Sequence, residues 1–99
     1  MNEIQKYISK NESKMLEDLF SLIRIPSISA KPEHHDDMLA CAERWAQLLI
    51  EAGADEALVM PSKGNPIVFG QKTVDPTAKT VLIYAHYDVC LLYTSDAAD

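Results

Sequence analysis

The sequence predicts a mixed α/β fold in which two helices precede three strands. Apolar residues recur at helical spacing twice before residue 53, and beyond it they form short runs separated by turn residues. The last of these runs contains no charged residue, as in a strand buried on both faces. With 99 residues, 47% of them hydrophobic and 24% charged, the chain has the composition of one small globular domain.

The first helix is predicted over residues 2–24. Its apolar positions follow the spacing of a single helical face: Ile4, Ile8, Met15, Leu16, Leu19, Phe20 and Ile23. Pro26 predicts where the helix ends, because the residue before a proline avoids the α-helical conformation. Residues 27–32 are then expected to form an extended connector.

The second helix is predicted to begin at Asp36 or Asp37, since either carboxylate can cap the free N–H groups of a first turn. Gly53 follows where a left-handed glycine commonly ends a helix, so the helix is expected to stop near Ala52. Its apolar stripe comprises Met38, Cys41, Ala42, Trp45, Leu48, Leu49 and Ala52. For the cysteine and the tryptophan of this stripe we expect core packing rather than thiol chemistry or ligand stacking.

Three strands are predicted after the second helix. Residues 57–60 and 67–70 are short apolar runs on either side of a turn that contains glycine, asparagine and two prolines. The third strand, residues 80–85, shows no alternation of polar and apolar side chains. We therefore expect it to be covered on both faces in an α/β sheet.

Charge and hydropathy exclude several classes of partner. Nine Lys plus Arg against fifteen Asp plus Glu give a net charge of −6, and no basic cluster is present to follow a phosphate backbone, so nucleic acid is not expected as a partner. The longest apolar run, residues 81–85, is far shorter than the roughly 20 residues of a membrane span, so no membrane is expected either. Two cysteines and no signal-peptide pattern near the N-terminus predict a cytoplasmic protein.

The clearest chemical signal follows the third predicted strand, in residues 86–89 (HYDV). Side chains at i and i+2 of an extended chain project to the same side, so the carboxylate of Asp88 can lie beside the imidazole of His86. A carboxylate on one ring nitrogen fixes the tautomer of a histidine that binds a metal through the other nitrogen. The alternative is an ordinary hydrogen-bonded histidine at a strand end, because His-x-Asp often occurs by chance.

Residues 80–89 (TVLIYAHYDV) closely resemble the first metal-binding motif of the M20 metallopeptidases, a clan of zinc hydrolases. Residues 19–29 (LFSLIRIPSIS) are similar to the N-terminal helix of that family and the connector after it. Residues 38–53 and 63–70 (KGNPIVFG) resemble the helix and the strand that follow in the family. The resemblance covers residues 15–89 in register, and the letters IYAHYDV are most similar to the dipeptidase subgroup.

The resemblance implies that residues 1–89 are the N-terminal portion of a zinc-peptidase-like catalytic domain with an incomplete sheet. The substrate would be a dipeptide or another small peptide, hydrolysed by a metal-activated water. His86 would be a ligand of one of two Zn²⁺ ions, for which Mn²⁺ or Co²⁺ could substitute, and Asp88 would orient His86 and support catalysis. The full-length protein would form a homodimer through a separate domain.

The other ligands and the general-base glutamate of the family lie downstream of this motif. A catalytic zinc needs about three protein ligands. Residues 1–99 alone are therefore expected to be inactive and not to bind zinc tightly.

Two other groups of reactive side chains have simpler interpretations. Residues 34–37 (HHDD) are expected to form a solvated loop and helix cap, with an accessory metal or substrate contact as the alternative. Cys90 near His86 would suggest a Cys/His nucleophile pair or metal site. However, residues 90–99 (CLLYTSDAAD) resemble a translated sequencing adapter and are interpreted as a non-native tail. For the chain as a whole, the alternative function is a small acidic α/β binding module without catalysis.

Overall fold

The computed structural model describes residues 2–89 of the chain. Within these residues two helices and a short 3₁₀ turn accompany a two-stranded antiparallel sheet. In chain order the elements are α1 (Glu3–Ile23), the 3₁₀ turn (Pro32–His34), α2 (His35–Glu51), β1 (Glu56–Met60) and β2 (Ile67–Gln71). The predicted mixed α/β class is therefore confirmed. The interpretation of residues 90–99 as a non-native tail concerns residues outside those described.

Helix α1 begins with a reciprocal cap. The side chain of Asn2 accepts a 2.8 Å hydrogen bond from the backbone N–H of Gln5, and the side chain of Gln5 accepts one of 3.1 Å from the N–H of Asn2. Two N–H groups that the helix itself leaves unpaired are thereby satisfied. The helix ends at Ile23, shortly before Pro26, within one residue of the predicted bounds at each end.

The connector after α1 is tightened by local backbone hydrogen bonds and contains a turn at residues 29–30, so the prediction of an extended connector was wrong. The N–H of Ser27 donates to the carbonyl of Ile25 at 2.7 Å, and the N–H of Ile28 donates to the carbonyl of Pro26 at 2.8 Å. A further bond runs from the N–H of Lys31 to the carbonyl of Ile28 at 3.3 Å. These local bonds tighten the chain, and both Ser27 and Ile28 are buried.

Helix α2 follows the 3₁₀ turn without a break. Its N-cap residue is His34, which makes no side-chain cap, so the prediction that Asp36 or Asp37 caps the helix was wrong. Both carboxylates lie in the first turn, where they still favourably meet the positive end of the helix dipole. The predicted C-terminal end is confirmed, since Gly53 has a φ of 108° and follows the C-cap residue Ala52.

Strands β1 and β2 form an antiparallel hairpin. Its register runs from Glu56 opposite Gln71 to Met60 opposite Ile67. The first two predicted strands are thus confirmed, each one residue longer than expected. No helix in the described part of the chain is both long and apolar enough to cross a lipid bilayer.

The structure has no strand at residues 80–85, where the sequence predicts the third one. The side chains of Val81, Leu82, Ile83 and Tyr84 are 81–92% exposed, so the expected cover on both faces is missing here. A strand needs a neighbour to pair its backbone N–H and C=O groups. Among residues 2–89, the only strand pair is that of β1 with β2.

The core is small and centred on α2. Its buried apolar residues are Leu22, Ile28, Met38, Cys41 and Ala42, which confirms core packing for the cysteine, whereas Trp45 is only half-buried. The predicted apolar face of α1 is not buried, because its residues are 41–71% exposed. Helix α2 meets α1 near the C-terminal end of α1, where Arg44 Nε donates a 3.0 Å hydrogen bond to Ser21 Oγ.

Candidate functional site

The imidazole of His86 and the carboxylate of Asp88 lie together, as their spacing predicts. The distance from His86 Nδ1 to Asp88 Oδ1 is 2.7 Å. Because an ionised carboxylate can only accept a hydrogen bond, Nδ1 is the donor of this pair. The neutral ring then carries its proton on Nδ1 and presents the lone pair of Nε2, on a side chain that is 83% exposed.

Both carboxylate oxygens of Asp88 are hydrogen-bonded. Oδ1 faces His86, and Oδ2 accepts a 3.1 Å bond from the hydroxyl of Ser29. The hydrogen bond from His86, with a further contribution from Ser29, lowers the pKa of the Asp88 carboxyl below its usual value, although desolvation opposes them. Asp88 is therefore ionised at neutral pH, as an acceptor for an imidazole N–H must be.

The backbone of residues 87–89 is joined to the turned connector. The hydroxyl of Ser27 donates to the carbonyl of Tyr87, and the N–H of Val89 donates to the carbonyl of Ser27, both at 2.9 Å. Ser27 is fully buried, so these bonds are shielded from water. Sequence reasoning assigned no role to Ser27 or Ser29. The signal that could have found them is the similarity of both the connector and the HYDV segment to one family.

Tyr87 attaches the same segment to the hairpin. Its phenolic hydroxyl donates a 2.6 Å hydrogen bond to the carbonyl of Pro66, in the loop between β1 and β2. Burial raises the pKa of Tyr87, with a smaller contribution from Cys41, so the phenol stays protonated and can donate. The side chains of His86 and Asp88, one position to either side, pair with each other instead.

A shallow apolar depression of about 170 Å³ lies beside this segment. Its walls are Leu19, Leu22, Ile23 and Trp45, together with residues 86–89. This volume is smaller than the roughly 300–1,000 Å³ of typical small-molecule sites. The depression by itself therefore does not define a substrate site.

The pair fits a metal-binding histidine, His86, and the carboxylate that orients it, Asp88. An exposed Nε2, with Nδ1 held by a carboxylate, is the arrangement found at histidine ligands of zinc. Within residues 2–89, no group of three or more His, Cys, Asp or Glu is placed to hold a metal ion. Among the described residues, the exposed Nε2 of His86 is one nitrogen donor, whereas a catalytic zinc takes about three protein ligands.

The HHDD segment is separate from this pair and makes a local contact. His34 Nδ1 lies 2.8 Å from Asp37 Oδ2, across the first turn of α2, while His35 and Asp36 are exposed. The segment thus lies at the start of α2, but it belongs to the 3₁₀ turn and the first helical turn, and the expected side-chain cap is not made.

The thiol of Cys41 is not suited to nucleophilic chemistry. Burial raises its pKa, an effect that a hydrogen bond with Ser27 partly offsets. Its sulfur lies 3.8 Å from the carbonyl oxygen of Tyr87. Cys90, the cysteine considered for a Cys/His pair, lies outside the described residues.

No family model matches the chain, and no solved structure matches it significantly. These comparisons with known proteins do not assign the chain to a family. The functional proposal therefore depends on the residues of the HYDV segment and on the contacts they make.

Proposed function

We propose that residues 1–89 are the N-terminal portion of the catalytic domain of a zinc-dependent dipeptidase of the M20 type. His86 is the ligand of one Zn²⁺, and Asp88 is the carboxylate that orients it. The observation that carries the proposal is the 2.7 Å contact between His86 Nδ1 and Asp88 Oδ1. That contact directs the lone pair of Nε2 outward, to where a metal can bind.

The packing of the connector against the HYDV segment supports the proposal. Two stretches that separately resemble one family, residues 19–29 and 80–89, meet through hydrogen bonds made by Ser27 and Ser29. These bonds join positions 60 and 59 residues apart in the chain. A His-x-Asp that occurred by chance would not require such a supporting contact from a distant segment.

The bound metal would supply a water of lowered pKa and would polarise the carbonyl of a dipeptide or other small peptide. Zinc is the expected ion, with Mn²⁺ or Co²⁺ as substitutes. The chain's own contribution is to hold one imidazole in a defined tautomer and direction, through Asp88. The remaining ligands and the general base would come from a longer chain, so residues 1–99 alone would be inactive and would bind zinc weakly.

The complete protein would be a cytoplasmic homodimer, and its sheet would be larger than the β1–β2 hairpin. Residues 80–85 would pair with further strands in that sheet. Such pairing would cover the apolar side chains that are exposed in the present structure.

The decisive experiment recovers the uninterrupted reading frame from the source DNA and expresses its product. We expect codons for an Asp and for a Glu-Glu pair within a few hundred bases downstream of residue 89. The purified protein should hydrolyse dipeptides, and His86→Ala should abolish the activity and lower the zinc content.

The matched control is His34→Ala, which removes another histidine paired with a carboxylate and should change neither activity nor zinc content. Full activity in His86→Ala, or a reading frame without the acidic residues, would refute the proposal. A stop codon directly after residue 99 in the intact gene would instead favour the acidic binding module.

A further inference from the structure

We infer that Ser29 is a positioning residue for the His86–Asp88 pair. Its hydroxyl holds the second carboxylate oxygen of Asp88 and thereby keeps His86 in the tautomer that is protonated on Nδ1. This role of Ser29 rests on the proposed function, because its purpose is to direct Nε2 of His86 towards a metal. The geometry behind it is independent of any metal.

A carboxylate held at one oxygen can still turn about its terminal bond, since that torsion has a broad, two-fold preference. Asp88 is held at both oxygens, by His86 Nδ1 at 2.7 Å and by Ser29 Oγ at 3.1 Å. Two donors on opposite oxygens fix the plane of the group. The acceptor that faces the imidazole is therefore fixed in direction as well as in distance.

Ser29 is itself held in place by the backbone around it. Two residues earlier, Ser27 is fully buried and makes two bonds to the HYDV segment, one to the carbonyl of Tyr87 and one from the N–H of Val89. Asp88 lies between those two backbone partners. The backbone thus places the hydroxyl of Ser29 opposite the carboxylate of Asp88.

The hydrogen bond from Ser29 to Asp88 matters because the bond between His86 and Asp88 is exposed to solvent. The side chains of His86 and Asp88 are 83% and 41% exposed, and a single solvent-exposed pair of this kind adds little preference for one geometry. Without the serine hydroxyl, the carboxylate has more freedom to leave the imidazole, and the neutral ring then has more freedom to move its proton to Nε2. Loss of the hydroxyl should accordingly shift the tautomer ratio of His86 by a moderate factor.

Long-range ¹H–¹⁵N NMR of the ¹⁵N-labelled 99-residue chain in mildly alkaline solution measures this ratio directly. In the unmodified chain we expect a protonated Nδ1 and an unprotonated Nε2 at His86. In Ser29→Ala, the share of the Nε2–H tautomer should rise by roughly two- to fivefold, the effect of one lost hydrogen bond at a partly exposed site. Ser29→Thr keeps a hydroxyl and should restore the original ratio.

Thr77→Val is the matched control. It removes another exposed hydroxyl-to-carboxylate bond, the 2.9 Å bond from Thr77 Oγ1 to Asp75 Oδ1, and should leave His86 unchanged. An unchanged ratio in Ser29→Ala would overturn the inference. If Ser29→Ala does not fold, Ser29→Cys takes its place, because a thiol has a similar shape and donates weakly. A ratio in Ser29→Cys equal to that of the unmodified chain would then overturn the inference.

The tautomer ratio needs neither metal nor activity, so its outcome is separable from that of the zinc experiment. An unshifted ratio combined with loss of zinc in His86→Ala would refute the role of Ser29 alone. A shifted ratio combined with full activity in His86→Ala would refute the zinc proposal alone.

Discussion

The hydroxyl of Tyr87 donates a 2.6 Å hydrogen bond to the carbonyl oxygen of Pro66, and this bond joins the HYDV segment to the loop of the hairpin. The residues on either side of Tyr87 are the two proposed site residues. The segment is therefore attached to the hairpin through the side chain of Tyr87, in addition to its hydrogen bonds with the connector, while the imidazole of His86 remains exposed.

Tyr87→Phe should destabilise the chain by about 1 kcal/mol, because it removes this hydrogen bond and leaves a half-buried carbonyl at Pro66 without it. Urea unfolding followed by circular dichroism measures the change. The control is Tyr84→Phe, which removes a hydroxyl from a side chain that is 92% exposed and should be neutral. Equal stability of the two variants would contradict the structural role of the Tyr87 hydroxyl.

Stability should fall in acid partly through Asp55, at the base of the hairpin. The N–H of Thr73, and then the ammonium group of Lys72, donate hydrogen bonds to its carboxylate and lower its pKa below the usual value. A group with a lower pKa in the folded state binds protons more weakly there than in the unfolded state. The contribution of Asp55 to the free energy of unfolding is complete above the pKa of about 3.9 that its carboxyl has in the unfolded chain. It is lost as the pH falls through the lower pKa of the folded state.

Asp55→Asn should therefore flatten the pH dependence of unfolding below about pH 4. Urea midpoints measured at several acidic pH values test this expectation. The slope of the urea midpoint against pH should decrease in Asp55→Asn without vanishing, because the pKa values of Asp75 and Asp88 are lowered as well. Glu43→Gln, at an exposed position of α2, is the control, and an equal effect in that variant would count against a specific role of Asp55.

Gly70 lies in β2, where that strand packs closely against Leu49 of α2. A Cβ atom there would lie 2.9 Å from Leu49 Cδ1 and 3.4 Å from the carbonyl oxygen of Glu56. Gly70→Ala should therefore cost about 1 kcal/mol, at the low end for overpacking because the leucine side chain can move. At Gly64 the nearest atom to a Cβ is Ser62 Oγ at 4.0 Å, so Gly64→Ala should be tolerated. Thermal unfolding should show a lower melting temperature for Gly70→Ala than for Gly64→Ala. Equal melting temperatures would contradict the close packing at Gly70.

The exposed apolar residues 81–84 should promote self-association. Four consecutive apolar side chains, whose backbone belongs to no strand pair among residues 2–89, form a template for pairing with another chain. Light scattering of the 99-residue chain should show concentration-dependent association, and Leu82→Lys should reduce it. Val74→Lys adds the same charge at a single exposed apolar residue in a loop and should have less effect. If both lysine variants reduced association equally, net charge rather than this segment would be responsible.

Helices and hairpin were predictable because their signals are local. The apolar period, Pro26 and Gly53 placed the helix ends to within a residue or two, and two short apolar runs around a turn predicted the two strands of the hairpin, though not their antiparallel pairing. The third predicted strand is absent from residues 2–89, and the apolar face of α1 is largely exposed there. A pattern shows that a surface is apolar, but its burial depends on what packs against it, and residues 2–89 do not cover these surfaces.

The same distinction applies to the candidate site. His86 and Asp88 are two residues apart, so their contact follows from the geometry of extended chain. Ser27 and Ser29 are small polar residues with no periodic signal, and their contacts with the HYDV segment require a turn in the connector that the sequence did not predict. Long-range pairing of this kind becomes visible only in three dimensions.

That long-range pairing has a kinetic consequence. The helices and the hairpin form between residues close in sequence, whereas the connector and the HYDV segment must close a loop of about 60 residues before any of their bonds is made. We expect the site to assemble last during folding and to open first in the native state. The amide hydrogen of Val89, bonded to the carbonyl of Ser27, should then exchange with solvent faster than amides in the middle of α2. The chain would thus have a state in which its helices and hairpin are formed while the imidazole and its supporting hydroxyl are still apart.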